Sequence, residues 1–290
     1  HGRGLNFNVL TRLKDGTLTE DFFIPQTVKA CRDYGFAGWH GPDGYGPLSS
    51  GNIMGTDVSD SMLSQIDFDL PESLKEPCGD NLESLQRRSE WIWQHRRREW
   101  IGFNVSRWLK FWSKMTTALH RDNRKCIINS AWTKANFDAL YEYGIDYRKM
   151  SSLGIDYMVV ETVALGLSQS HPYSKRHYDF AAALMEIKAA APDFKLIFLH
   201  GIKDVVEGWD NLRHTSPAYE RELYTLTGCY YADGWNLRRS ADGLLGCLAD
   251  GIKRGEWDYI RKCWNTSFTE KPFVAGQIIS IWCDEMLDDG

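Results

Sequence analysis

The chain of 290 residues carries 34 Lys and Arg against 39 Asp and Glu, a net charge of −5 with both signs mixed along it, and 43% of it is apolar. That length allows a large core in one domain, the composition excludes disorder as a theme, and the acidic balance removes the electrostatic case for nucleic acid as a partner. No apolar run reaches the ~18 residues a spanning helix needs, so no membrane partner is expected.

Leu5 to Arg12 (LNFNVLTR) alternates as a first strand, closed by the Asp15-Gly16 turn. Thr19, Phe22, Phe23, Val28 and Cys31 recur at helical spacing and predict a helix that ends before Gly35. Phe36 to His40 reads as a second strand. It runs into HGPDGYGP (40–47), a Gly- and Pro-rich stretch carrying His40, Asp43 and Tyr45. From there to about Asn81 the periodicity is weak, so 40–81 is expected to be a long loop. In a barrel it would lie on the catalytic face; a surface excursion without a role is the other reading.

Leu82 to about Arg121 reads as two helices with a break near Gly102, aromatic on one face and basic on the other. The Arg96–Arg98 run has acids beside it and reads as a solvated face. Lys125 to Trp132 (KCIINSAW) is the third strand, with Asn129 and Trp132 near its end. A helix from about Ala135 to Leu153 follows, closed by Gly154. Ile155 to Thr162 (IDYMVVET) is then the fourth strand, an apolar β-branched run that delivers Glu161 at its end. Tyr173 to Ala191 is helical and Pro192-Asp193 stops it. Lys195 to Gly201 (KLIFLHG) is the fifth strand, leading to His200, Lys203 and Asp204. A helix over Pro217 to about Tyr231 precedes Gly243 to Asp250 (GLLGCLAD), assigned as a strand although so short a run does not separate strand from helix by period. A helix over 255–268 leads to Gly276 to Glu285 (GQIISIWCDE), the seventh strand.

Strand and helix alternate at roughly 40-residue spacing without hairpin signals, which argues for α/β with a parallel sheet. A single catalytic (β/α)8-type TIM barrel over 1–290 fits best. Seven strands leave the barrel one short, so it is expected to be irregular or to continue past Gly290. A doubly wound sheet would show a Gly-rich phosphate loop after its first strand, and none is present. His1 in place of Met reads as the start of a processed or trimmed chain. Seven scattered Cys without C-x-x-C read as buried free thiols. The eight His are scattered too, so neither a metal nor a cofactor is expected.

Two strand-end carboxylates on one face of a barrel meet the requirement of glycosidic bond cleavage: a proton donor to the leaving oxygen and a second acid that attacks the anomeric carbon or activates water. With Glu161 ending the fourth strand and Glu285 the seventh, the chain resembles the clan of retaining barrel glycosidases whose acid/base and nucleophile occupy those places. The resemblance implies Glu161 as acid/base and Glu285 as nucleophile. The clan usually has Asn immediately before the acid/base, where this chain has Val160. Asp284 is the competing nucleophile, since strand alternation lets only one of the two face inward. Each acid could instead cap a helix or pair with Arg.

The 12 Trp among 13% aromatic residues suit a carbohydrate partner, because flat rings stack on sugar faces as well as filling cores. Trp39, Trp132, Trp209, Trp235 and Trp282 fall in loops or strand ends. Trp282 would floor a subsite, and His40, Asp43, Tyr45, Asn129, Trp132, His200, Lys203, Asp204 and Asp284 are candidate substrate contacts. Two other classes remain open: a class I aldolase using Lys203 as Schiff-base nucleophile, and a sugar-binding barrel without catalysis.

Overall fold

The computed structural model describes residues 8–41, 53–55, 57–130, 135–161, 176–206, 208–213, 218–269 and 281–288. The chain divides into two compact units, His1–Ile128 with Phe137–Asp156, and Asn129–Asn136 with Tyr157–Gly290.

In the first unit the Thr19–Asp33 helix follows the predicted spacing. Strand β1 (Gly38–His40) pairs in parallel with β2 (Lys125–Asn129), Gly38 opposite Lys125 and His40 opposite Ile127. Gly38 is required there, because a Cβ would stand 2.4 Å from the Lys125 carbonyl oxygen. Asp156 ties β2 down by accepting from the Cys126 N–H (2.9 Å), the Lys125 ammonium (2.7 Å) and the His120 ring (2.8 Å).

The long helical stretch is two helices, Leu82–His95 and Arg97–Arg121. The break falls at Arg96, not near Gly102. Gly102 lies inside the second helix with open space around it, and the buried row Trp100, Phe103, Trp108, Phe111, Trp112, Met115 and Leu119 outweighs the helix cost of about 1 kcal/mol that one glycine brings. Arg107 forms a buried ion pair with Glu20, which also accepts from Lys114 at 2.9 Å. Within 57–81 lie single-turn helices Asp60–Leu63 and Glu72–Lys75. Buried Arg88 clamps them, donating to Asp60 (2.6 Å) and to the Leu74 and Glu76 carbonyls (3.0 and 2.6 Å).

The expected first strand does not form over 8–12. The Asn8 side chain accepts from the Leu10 N–H (3.0 Å) and donates to Asp57 (3.0 Å), which bends the backbone into a turn; only an isolated bridge joins Arg12 to Leu18.

In the second unit β3 (Tyr157–Val160) and β8 (Gly243–Ala249) flank β4 (Leu196–Asp204), all parallel, with Val160 opposite Phe198 and His200 opposite Gly246. Met158, Val159 and Val160 are buried, as a strand covered on both faces requires. β5 (Trp209–Asp210) returns antiparallel to β4. Strands β6 (Tyr230–Asp233) and β7 (Asn236–Arg239) form a separate antiparallel hairpin. Helices Arg176–Ala190, Ala218–Thr227 and Arg254–Thr269 complete this unit, with a short one at Asp284–Asp288.

The architecture is therefore mixed α/β with parallel strand pairs. The complete eightfold TIM barrel expected from the sequence is not formed among the described residues: five strands take part in parallel pairs, the 8–12 part of the expected first strand is a turn, and the expected seventh ends in a helix. Among those residues no helix is long and apolar enough to cross a membrane. Cys31, Cys126, Cys229 and Cys263 are buried free thiols, and burial pushes Cys126 up to about 12 and Cys229 up to about 11.

Candidate active site

Glu161 follows the last residue of β3 and is half-buried. Its backbone N–H donates to the Ser130 hydroxyl at 3.0 Å, and its Oε2 accepts from the Asn129 amide at 2.9 Å. Ser130 in turn donates its backbone N–H to the Val159 carbonyl at 2.8 Å. Asn129 and Ser130 are both buried. The β-branched run thus delivers a carboxylate to the C-terminal edge of a parallel strand, where a buried amide fixes its orientation. Val160 stands where the resembled clan has Asn, yet Asn129 brings an amide to the Glu161 carboxylate from β2. In strand order the place is also corrected: β3 is the third described strand.

Along β4, His200 lies inside the strand rather than at its end, because the strand continues to Asp204. It is fully buried, its ring 4.6 Å from that of Tyr219 and its Nδ1 3.4 Å from Glu222 Oε1, both on the Ala218–Thr227 helix. Among the described residues no hydrogen bond of good geometry reaches either ring nitrogen, either Glu222 oxygen or the Tyr219 hydroxyl. Burial, the largest influence, pushes the Tyr219 hydroxyl well up, against the nearby Trp264 indole.

Lys203 is buried, with its ammonium 3.2 Å from Asp210 and 3.7 Å from Glu256. These ion pairs engage the amine that an aldolase reading would use. Asp204 accepts from the Val206 N–H at 2.6 Å while its carbonyl accepts from Gly208, an Asx arrangement that turns the chain toward β5.

The C-terminal acids differ from expectation. Residues 271–280 lie outside the described residues, 281–283 are not strand, and Asp284–Asp288 is helical. Glu285 is therefore not a strand-end residue. It is exposed and accepts from the Cys283 thiol at 2.8 Å, which holds its carboxyl below the ordinary range. Asp284, also exposed, accepts from the half-buried Trp282 indole N–H at 2.6 Å. Strand alternation no longer separates the two acids, since neighbours on a helix are about 100° apart.

His40 ends β1 in the first unit, exposed. Asp43, Tyr45 and Trp132 lie outside the described residues. Ser130, Tyr219 and Glu222 were not read from the sequence. A signal for Glu222 existed: with Tyr219, Leu223 and Leu226 it falls on the buried stripe of its helix, a charged residue at a core position. Among the described residues no group of three His, Cys, Asp or Glu is placed to hold a metal ion.

Compared with known proteins, the chain matches no family model, no curated protein and no solved structure.

Proposed function

We propose that this protein is a glycoside hydrolase built on part of an α/β barrel, with Glu161 as its acid/base. The observation that supports the reading is the half-buried Glu161 carboxylate at the C-terminal edge of β3, oriented by the Asn129 amide at 2.9 Å. Chemistry in parallel α/β folds collects at this edge. A general acid needs a fixed direction toward the leaving oxygen, and a buried amide supplies it.

In the retaining scheme Glu161 protonates the glycosidic oxygen as a carboxylate attacks the anomeric carbon; Glu161 then takes a proton from the water that releases the sugar. Glu285 is the proposed nucleophile, and its depressed titration keeps it ionised for that role. Asp284, in the same helical turn, is the alternative. The partner is a carbohydrate, and no step calls on a metal or cofactor.

The test uses a panel of 2,4-dinitrophenyl glycosides, whose leaving group departs without a proton. Wild type is expected to turn over at least one of them. Glu161→Ala is expected to form the glycosyl-enzyme on that substrate yet release it slowly, and azide should restore release as a glycosyl azide of retained configuration. Glu285→Ala should abolish the first step; if Asp284→Ala does so instead, the nucleophile is reassigned. Wild type inert toward the panel and toward plant and microbial polysaccharides, or Glu161→Ala as active as wild type, overturns the proposal.

A further inference from the structure

The candidate active site makes no use of the β6–β7 hairpin. Its base is anchored. Arg239 donates to the Thr227 carbonyl and stacks over Tyr230 at 5.2 Å and Phe268 at 5.6 Å, while the Tyr231 hydroxyl donates to the Pro192 carbonyl at 3.4 Å. Its tip is not packed. Asp233 opposes Asn236 across the two-residue loop Gly234-Trp235, with Gly234 at φ +58. A positive φ at the first central residue with none at the second is the pattern of a type II′ turn, which sets the second residue outward on a rigid support.

That second residue is Trp235, with a relative exposure of 105%. Nothing in the turn asks for an indole there; Asn, Ser or Gly would serve. Beside it stand hydrogen-bonding groups held in place: Asp233 and Arg238 form an ion pair at 2.9 Å, and Asn236 is exposed. Leu237, at 42%, adds a small apolar margin. A flat apolar face on a hairpin tip that also carries a carboxylate, a guanidinium and an amide is the chemistry that fits a pyranose, which offers C–H groups on one face and hydroxyls around its rim.

Size decides against a protein partner, since a stable interface buries about 1,200–2,000 Å² and one indole at a hairpin tip presents a small fraction of that. A bilayer would require a larger apolar face with basic residues around it, whereas Arg238 is already paired with Asp233. We infer that the β6–β7 tip is a carbohydrate-binding platform on which Trp235 stacks against a sugar ring, with Asp233, Asn236 and Arg238 available to its hydroxyls. The choice of a saccharide ligand rests on the proposed function; binding itself does not require cleavage.

Binding is measured by titrating cellohexaose, xylohexaose, mannohexaose, laminarihexaose and chitohexaose against the Glu161→Gln protein labelled with 5-fluorotryptophan. The ¹⁹F resonance absent from Trp235→Ala identifies Trp235. At least one hexaose should shift that resonance with saturation. In calorimetric titrations of the same hexaose Trp235→Ala should lose one site or bind there at least tenfold more weakly, and Trp235→Tyr should recover most of the loss. Aryl glycoside turnover by Trp235→Ala in the otherwise wild-type chain should stay within twofold of the wild-type rate. Hexaose binding that survives Trp235→Ala unchanged, no binding at millimolar hexaose, or a wild-type dimer in sedimentation that Trp235→Ala dissociates overturns the inference. A Trp235-dependent shift in a protein that hydrolyses no glycoside would sustain the platform and sink the hydrolase reading alone.

Discussion

Two polar pairs in the second unit stand on neighbouring parallel strands and differ in nearly every respect. Glu161, just past the end of β3, is half-buried and accepts from the buried Asn129 amide at 2.9 Å. His200, in the middle of β4, is fully buried and faces a fully buried Glu222 at 3.4 Å, with no good hydrogen bond to either partner among the described residues. One pair lies where a strand releases its last side chain toward solvent. The other lies between strand and helix, where the low dielectric raises the penalty for each unmet polar group to about 1–3 kcal/mol. The difference teaches that a titratable side chain in this fold is assigned by where on its strand it falls. At the edge it can exchange protons with a substrate; inside, it is a structural liability that packing must offset.

The largest effect expected is on catalysis at the edge. Glu161→Gln should lower kcat/KM for substrates with poor leaving groups by about 10²–10⁴ while changing the urea midpoint little. If instead it unfolds the protein, Glu161 is structural and the contrast collapses. The buried pair should show the opposite profile. Glu222→Leu alone leaves the buried imidazole without the carboxylate 3.4 Å away and should lower stability by about 1–3 kcal/mol, read as a shifted urea midpoint at constant m. The double variant His200→Leu/Glu222→Leu should regain most of that loss, because two apolar groups of similar volume remove both unmet partners. A double variant no better than the single one would show that the pair contributes more than its desolvation removes.

Much of this arrangement was legible in the residues. β2, β3, β4 and β8 fall where β-branched and apolar runs were read, and Glu161 ends its strand as the IDYMVVET pattern implies. The failures have physical causes. The run before Cys283 looked like a strand ending in Glu285, but paired acids also favour the first turn of a helix through its dipole, and Asp284 and Glu285 occupy that turn. Gly234-Trp235 suits a two-residue type II′ hairpin loop, a signal that passed unread between an expected helix and an expected strand. Asn129 was read as a pocket wall, yet its bond to Glu161 depends on which strand end lies beside which, and a single strand's pattern carries no such information. Glu222 did carry a signal, since it shares the stripe of Tyr219, Leu223 and Leu226 on its helix; only its neighbour His200, on another element, was beyond the pattern of one helix.

Asn129 sharpens the contrast from the positioning side. Asn129→Ala should reduce turnover by about tenfold to a hundredfold, in keeping with the loss of one orienting hydrogen bond near the reacting group. The loss should fall on substrates with poor leaving groups and spare the first step on 2,4-dinitrophenyl glycosides, whose departure needs no proton. An equal drop for good and poor leaving groups would mean that the amide holds β2 in place rather than orienting Glu161.

The smallest effect concerns the carboxylate outside the strand framework. Glu285 is exposed, and its titration lies below the ordinary value chiefly through the Cys283 thiol at 2.8 Å. Cys283→Ala should therefore raise the Glu285 titration, followed by ¹³C NMR of the side-chain carboxyl, toward the ordinary Glu value of about 4.3. The sign for stability follows. A depressed folded-state pKa contributes stability above the unfolded value and loses it as pH falls through the folded one, so the variant should surrender a small contribution at neutral pH and be less acid-sensitive at this group. Full solvent exposure keeps the effect slight. If the titration does not move, the thiol is not its cause, and Glu285 loses the one local feature that now recommends it over Asp284 as the nucleophile.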